Sequence, residues 1–207
     1  ANALSNAAGA TLSVSGGTVT SAQNAGTLTL GGGNTVSGDV TNTAGSLTLD
    51  GETIGGTLAA QGGSFTVTPN AATAGSLSGS ANGALDGTLT LTQAADTYSG
   101  VLSGTGGLTV NGGTETLSGD NSYTGSTNIG SGATLQLGDG GTTGSISQTA
   151  AVHNNGQLIV DRSNDLTIAQ AIDGTGSFTQ TGTGTTTLSG ANTYTGVTTV
   201  AQGAGLN

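Results

Sequence analysis

His153 is the only histidine of the chain and Arg162 its only cationic side chain. Acid–base chemistry near neutral pH, or any step that leans on a guanidinium, would have to start from these two residues. His153 stands in Ala-Val-His-Asn-Asn, with no carboxylate or nucleophile beside it, and reads as an exposed turn histidine. Arg162 lies between Asp161 and Asp165, with Asn164 close by. Two carboxylates and an amide are oxygen ligands of the kind a hard cation such as Ca²⁺ takes. A structural role is expected instead, with the arginine bridging its acidic neighbours on the surface. Gly138-Asp-Gly-Gly resembles no more than a fragment of the glycine-rich Ca²⁺ nonapeptide. The remaining acids (Asp39, Asp50, Glu52, Asp86, Asp96, Glu115, Asp120, Asp139 and Asp173) are scattered singly. Cleavage of a polysaccharide needs two carboxylates, or a carboxylate with Arg or Lys, poised together, and only stacking of distant segments could assemble such a pair here. No glycine-rich run ends in the Lys-Ser/Thr of a phosphate loop. With no cysteine there is no thiolate ligand, disulfide or cysteine nucleophile. The expectation is a chain that is not an enzyme, with no catalytic residue, no metal site and no cofactor.

Composition narrows the partners. One basic residue against 11 acidic ones gives a net charge of −10. Nucleic acid is therefore not an expected partner, because its phosphates call for Lys and Arg, and an anionic membrane surface is disfavoured on the same ground. No run of about 18 apolar residues exists to cross a bilayer. The opening Ala-Asn-Ala-Leu-Ser lacks the charged and apolar regions of an export signal. Glycine supplies 41 residues, and 6% of the chain is charged, against about a quarter in ordinary soluble domains. Leu, Ile, Val and Phe make up roughly a fifth, close to the range of disordered chains. Their even spacing argues for order.

That spacing defines the elements. A pentad of the form Gly-(Ser/Thr)-Leu-Thr-Leu occurs at Ala10–Val14, Gly26–Leu30, Gly45–Leu49, Gly63–Val67 and Gly87–Leu91. Related units follow at Gly107–Val110, Ala133–Leu137, Gly156–Val160 and Gly176–Gln180. Each alternates apolar with polar, the period of a strand with one buried face, and Gly, Asn, Asp and Ser between them supply turns. Leu28 to Leu47 is 19 residues, Leu47 to Phe65 is 18, Leu89 to Leu108 is 19 and Leu158 to Phe178 is 20. A β-sandwich would also alternate, but it predicts no constant interval. A period of 19–20 residues suits one coil of a parallel β-helix, in which each rung buries its apolar residues only by stacking on the next. The chain then makes roughly ten rungs.

A longer likeness links Leu102–Ile129 to Ile172–Val200, each ending in Leu-Ser-Gly-X-Asn-(Ser/Thr)-Tyr-Thr-Gly, at Leu117–Gly125 and Leu188–Gly196. This string resembles the autotransporter-associated β-strand repeat (the passenger-associated transport repeat), and the stretch from Asn155 to Thr167 is similar to the segment that usually precedes it. The likeness runs from about Ala95 to the end, so a division at residues 1–94 and 95–207 is expected within one solenoid. Residues 1–94 carry the 19-residue pattern alone. The second copy stops at Gly203-Ala-Gly-Leu-Asn, and the chain is expected to be a segment of a longer protein, with export signal and translocating barrel outside it.

The resemblance implies an all-β, right-handed parallel β-helix, exported to the surface of a Gram-negative cell, with the repeat favouring folding and secretion. It marks Leu117, Gly119, Asn121, Tyr123 and Gly125, and Leu188, Gly190, Asn192, Tyr194 and Gly196, as structural positions. Physically these make a corner. The glycines permit positive φ or close packing of successive turns. The asparagines bond nearby backbone, and the tyrosines cover the edge of the core with the hydroxyl reaching solvent. The expected function is a structural and adhesive rod, attaching to copies of itself on neighbouring cells, to a host or abiotic surface, or to a glycan. One alternative is a passive stalk. Another is a ladder of Thr-X-Thr pairs (Thr18/Thr20, Thr27/Thr29, Thr66/Thr68, Thr88/Thr90) that binds ice or crystalline polysaccharide, although those pairs flank inward leucines at different rung positions.

Overall fold

Each pentad has one apolar face and spare backbone hydrogen-bonding groups on both edges, so it is stable only between two similar neighbours. The computed structural model describes residues 2–207 and meets that need by winding the chain into a solenoid. Among the described residues there are 29 short strands and no helix. Every pairing between them is parallel, and partners lie 16 to 25 residues apart in sequence. The first face is an eleven-stranded sheet, one strand per turn, from Leu4–Asn6 to Thr198–Val200. The chain is thus a parallel β-solenoid of about eleven turns. A second face carries six strands, Thr11–Ser15 to Leu102–Ser103, and a third carries nine, Thr18–Val19 to Ile172–Asp173.

The intervals read from the sequence are the stacking distances. Leu28 pairs with Leu47, Leu47 with Phe65, Leu89 with Leu108 and Leu158 with Phe178. The pentads do not stay on one face, however. Those from Ala10 to Val67 lie on the second face, Leu89–Leu91 and Leu108–Val110 on the third, and Ala133–Leu137, Gln157–Val160 and Ser177–Gln180 on the first. The second face lapses after Ser103, is bridged once at Asp120↔Ser145, and gives way to a three-stranded sheet at Leu166–Ile168, Thr185–Leu188 and Gly205–Leu206.

The interior is a narrow column of stacked aliphatic side chains with two special fillings. Phe65 leans up under the next turn, where the residue at the stacking position is Gly83; a Cβ there would overlap the ring. Tyr98 meets Phe65 edge-on at 6.3 Å and 72°, and both are buried. Near the start of the chain, Asn6, Asn24 and Asn42 stack at successive inward positions of the first face. Nδ2 of Asn6 donates to Oδ1 of Asn24 at 2.8 Å, and Nδ2 of Asn24 to Oδ1 of Asn42 at 2.7 Å. A ladder of amides can be buried because every turn supplies both donor and acceptor.

Candidate functional site

The second face loses its strand where the nine-residue motif begins, and the motif side chains take over the strand's bonding. Asn121 Oδ1 accepts from the Leu102 N–H one turn back, at 2.9 Å. Its Nδ2 donates to the Ser145 carbonyl one turn ahead, at 3.0 Å, and to the Gly119 carbonyl at 2.9 Å. The carboxamide stands in for a peptide group, so the ladder continues through a side chain. Asn192 repeats the backward half: its Oδ1 accepts from the Ile172 N–H at 2.9 Å. The motif glycines are needed for close approach. A Cβ on Gly119, Gly125, Gly190 or Gly196 would collide with a backbone carbonyl of the preceding turn, and none of the four has positive φ.

The tyrosines differ from the expectation. Tyr123 is buried, and its hydroxyl shares a 2.7 Å hydrogen bond with Thr127 Oγ1 rather than meeting solvent. Thr127 faces inward and also contacts Thr149 Oγ1 at 3.1 Å, whose hydroxyl donates to the Gly125 carbonyl at 2.6 Å. Tyr194 makes the same bond to Thr198, at 2.7 Å, in a more open setting. Leu117 is sealed in the core, whereas Leu188 is half-buried against it.

Arg162 is a loop clamp. Only 6% exposed, it donates to the carbonyls of Thr142 (2.7 Å) and Gly144 (3.0 Å) and to Asn164 Oδ1, with Asp120 at 3.5 Å. The expected bridge to Asp161 and Asp165 is not the one that forms, because the guanidinium turns in toward the long excursion between Leu137 and Val152. Asp165 accepts from the Thr185 N–H instead. Arg162→Ala removes a five-donor fork from the buried Gly144 carbonyl, whose orphaning costs about 1–3 kcal/mol, and from the more open Thr142 carbonyl. The expected outcome is rapid proteolysis between Asp139 and Ser145 while the solenoid stays intact, read by limited digestion. Arg162→Lys should protect the loop only in part, since an ammonium cannot span the same acceptors.

His153 is not a turn residue. It lies within a strand, Val152–Asn154, and Nδ1 sits 2.9 Å from Asp173 Oδ1, its stacking partner one turn ahead. Sequence neighbours are the wrong place to look for partners in a solenoid. The pair is half-exposed on the outer surface.

Outward positions form columns. On the third face Thr18, Thr35, Thr53, Thr73, Thr90 and Thr109 stack in six successive turns, followed by Asn128, His153 and Asp173. On the second face Ser13, Thr29, Thr48 and Thr66 do the same. The Thr-X-Thr pairs are thus divided between faces, as their positions relative to the inward leucines suggested. A shallow groove of about 450 Å³ crosses several turns near the end of the chain, with Thr134, Asn155, Gln157, Thr175 and Ser177 on its walls and Gly132, Gly156, Gly176 and Gly196 along it. Val197, beside it, is 72% exposed.

The chain has two glutamates, Glu52 and Glu115, and both are sealed in the interior, while none of the nine aspartates is. The signal was parity: Glu115 is two residues before inward Leu117, and Glu52 two before inward Ile54. Burial raises both pKa values, that of Glu115 to about 9. At the surface, the Thr68 hydroxyl and Asn70 amide hold Asp50 below the usual range. Among the described residues no group of three or more His, Cys, Asp or Glu side chains is placed to hold a metal.

Two stretches, residues 112–137 and 178–204, match the family described as the passenger-associated transport repeat. They contain both copies of the motif whose asparagines and glycines join successive turns. No curated protein and no solved structure matches the chain.

Proposed function

We propose that this β-helical stretch of autotransporter passenger, carrying two passenger-associated transport repeats, serves at the cell surface as a non-catalytic rod whose outer faces adhere to copies of itself on neighbouring cells. The repeats and the parallel solenoid support the passenger assignment. The observation that favours adhesion is the set of unbroken outward columns of hydroxyl side chains, six threonines long on the third face. Each hydroxyl contributes little by itself. A regular column lets two rods share many weak hydrogen bonds at once, and multivalency between cells multiplies the effect.

The test is display of residues 1–207 on non-aggregating bacteria, between an export signal and a translocating barrel, with settling followed against a barrel-only control. Faster settling is expected, and it should require the segment on both cells of a mixed pair. Unchanged settling, with display confirmed, leaves a passive stalk. The six-threonine column also favours a second reading, binding of an ordered hydroxyl lattice such as ice or crystalline polysaccharide. Inhibition of ice recrystallisation, or retention on crystalline glycan by isolated protein, would distinguish it.

A further inference from the structure

Glu115 occupies a gap in the first face. The strand before it is short: Thr97–Tyr98 pairs with the preceding strand only through Gly79↔Tyr98, and Ala95 and Asp96 form no register pair with that strand. Asp96 turns aside, accepting from Thr57 Oγ1 at 3.2 Å. The Glu115 side chain passes through the opening toward the strand two turns back, where Oε2 lies 3.4 Å from Ser76 Oγ and 3.5 Å from the Leu77 N–H. Oε1 has no hydrogen-bond partner. Leu135 stacks above it, and Asp96 is the charged group close enough to act on it.

Glu52 repeats the situation on the third face. It faces inward beneath Ala72, with Asn34 in the preceding turn, and neither of its carboxyl oxygens has a hydrogen-bond partner; nor does Asn34 Oδ1. The nearby charge is Asp50, again an anion. Among the described residues no cationic side chain faces either glutamate, since Arg162 is committed to the carbonyls of Thr142 and Gly144 and to Asn164. An ionised carboxylate in such a place would be both unsolvated and unpaired.

We propose that the folded solenoid holds Glu52 and Glu115 as neutral carboxylic acids, so that folding takes up protons and the chain orders more readily in mildly acidic surroundings. In the unfolded chain both ionise above their ordinary value of 4.5. The stability their burial allows is therefore complete below about pH 4.5. It declines as pH rises, for Glu115 until about pH 9. Within that window the proton on Glu115 alone lowers the folding equilibrium constant by about tenfold per pH unit, and Glu52 acts in the same direction.

The experiment is urea unfolding of the 207-residue chain between pH 5 and pH 8.5, followed by circular dichroism. The wild type should lose stability steadily toward pH 8.5. Glu115→Gln should flatten the slope and raise stability at the alkaline end, and the pair Glu52→Gln, Glu115→Gln should flatten it further. A wild-type stability that is level or rises with pH overturns the proposal, as does an undiminished slope in the double variant. Should the variants fail to fold, infrared spectroscopy of the folded wild type at pH 7 decides. A protonated-carboxyl band supports the proposal, and its absence overturns it.

Discussion

Asn24→Asp should destabilise the solenoid by about 2–6 kcal/mol at neutral pH, from the loss of two buried amide hydrogens at about 1–3 kcal/mol for the acceptors each leaves behind. Aspartate keeps the shape and the acceptor that Asn6 Nδ2 and the Gly26 N–H use. It loses the amide hydrogens that reach Asn42 Oδ1 and the carbonyls of Gly26 and Ser46. In place of a donor, Asn42 Oδ1 then faces a carboxylate oxygen. Asn24→Leu also removes the acceptor for Gly26 N–H, and should cost a similar amount without depending on pH. The two variants are told apart by repeating the urea titration at pH 4, where a protonated aspartate regains one donor and part of the stability. Equal losses for Asp and Leu at both pH values would mean that the ladder contributes by filling space and not by pairing.

Phe65→Ala should cost about 3–5 kcal/mol, the range for emptying a large aromatic site in a close-packed core. The site has little means to collapse, because its walls are strands whose separation is set by their hydrogen bonds. Tyr98 loses its edge contact as well. Gly83→Ala should be destabilising in the wild type, since the new methyl enters the ring's space. With Phe65→Leu in place the same methyl fills part of the vacated volume. A double-mutant cycle on the two positions is expected to give a favourable coupling of roughly 0.5–3 kcal/mol. Additive losses would mean that ring and glycine do not share one space.

The architecture was legible because the 18-to-20-residue intervals are physical stacking distances, as Leu28 on Leu47 and Leu158 on Phe178 confirm. The passage of the pentad around the solenoid was harder to see. Any of three faces accepts a strand with one apolar side, and the unit does not record which face it occupies. The clue lay in the irregular steps: Phe65 to Leu89 is 24 residues and Leu108 to Leu135 is 27, more than one turn each. The amide ladder was visible as asparagines 18 residues apart. Reading polar residues as turn material concealed it. The same habit left Glu52 and Glu115 among acids scattered singly along the chain, although alternation from Ile54 and Leu117 places both inside. His153 and Arg162 show the opposite difficulty, since Asp173 and the carbonyls of Thr142 and Gly144 lie 18 to 20 residues away in sequence and no local window contains them.

The hydrogen bonds that join the turns run along the axis of the rod. A pull on its two ends therefore loads them head-on, one layer at a time, and each layer touches only its neighbours. A turn of about 19 residues occupies about 4.8 Å of axis while wound. Drawn straight, it reaches roughly 60–70 Å. Tension beyond the strength of one layer would peel a single turn, gain more than ten times its former length, and leave the remaining turns wound. Two bodies tethered through such a rod would be held stiffly at low force and given slack in steps at high force, like a coil of rope paid out loop by loop.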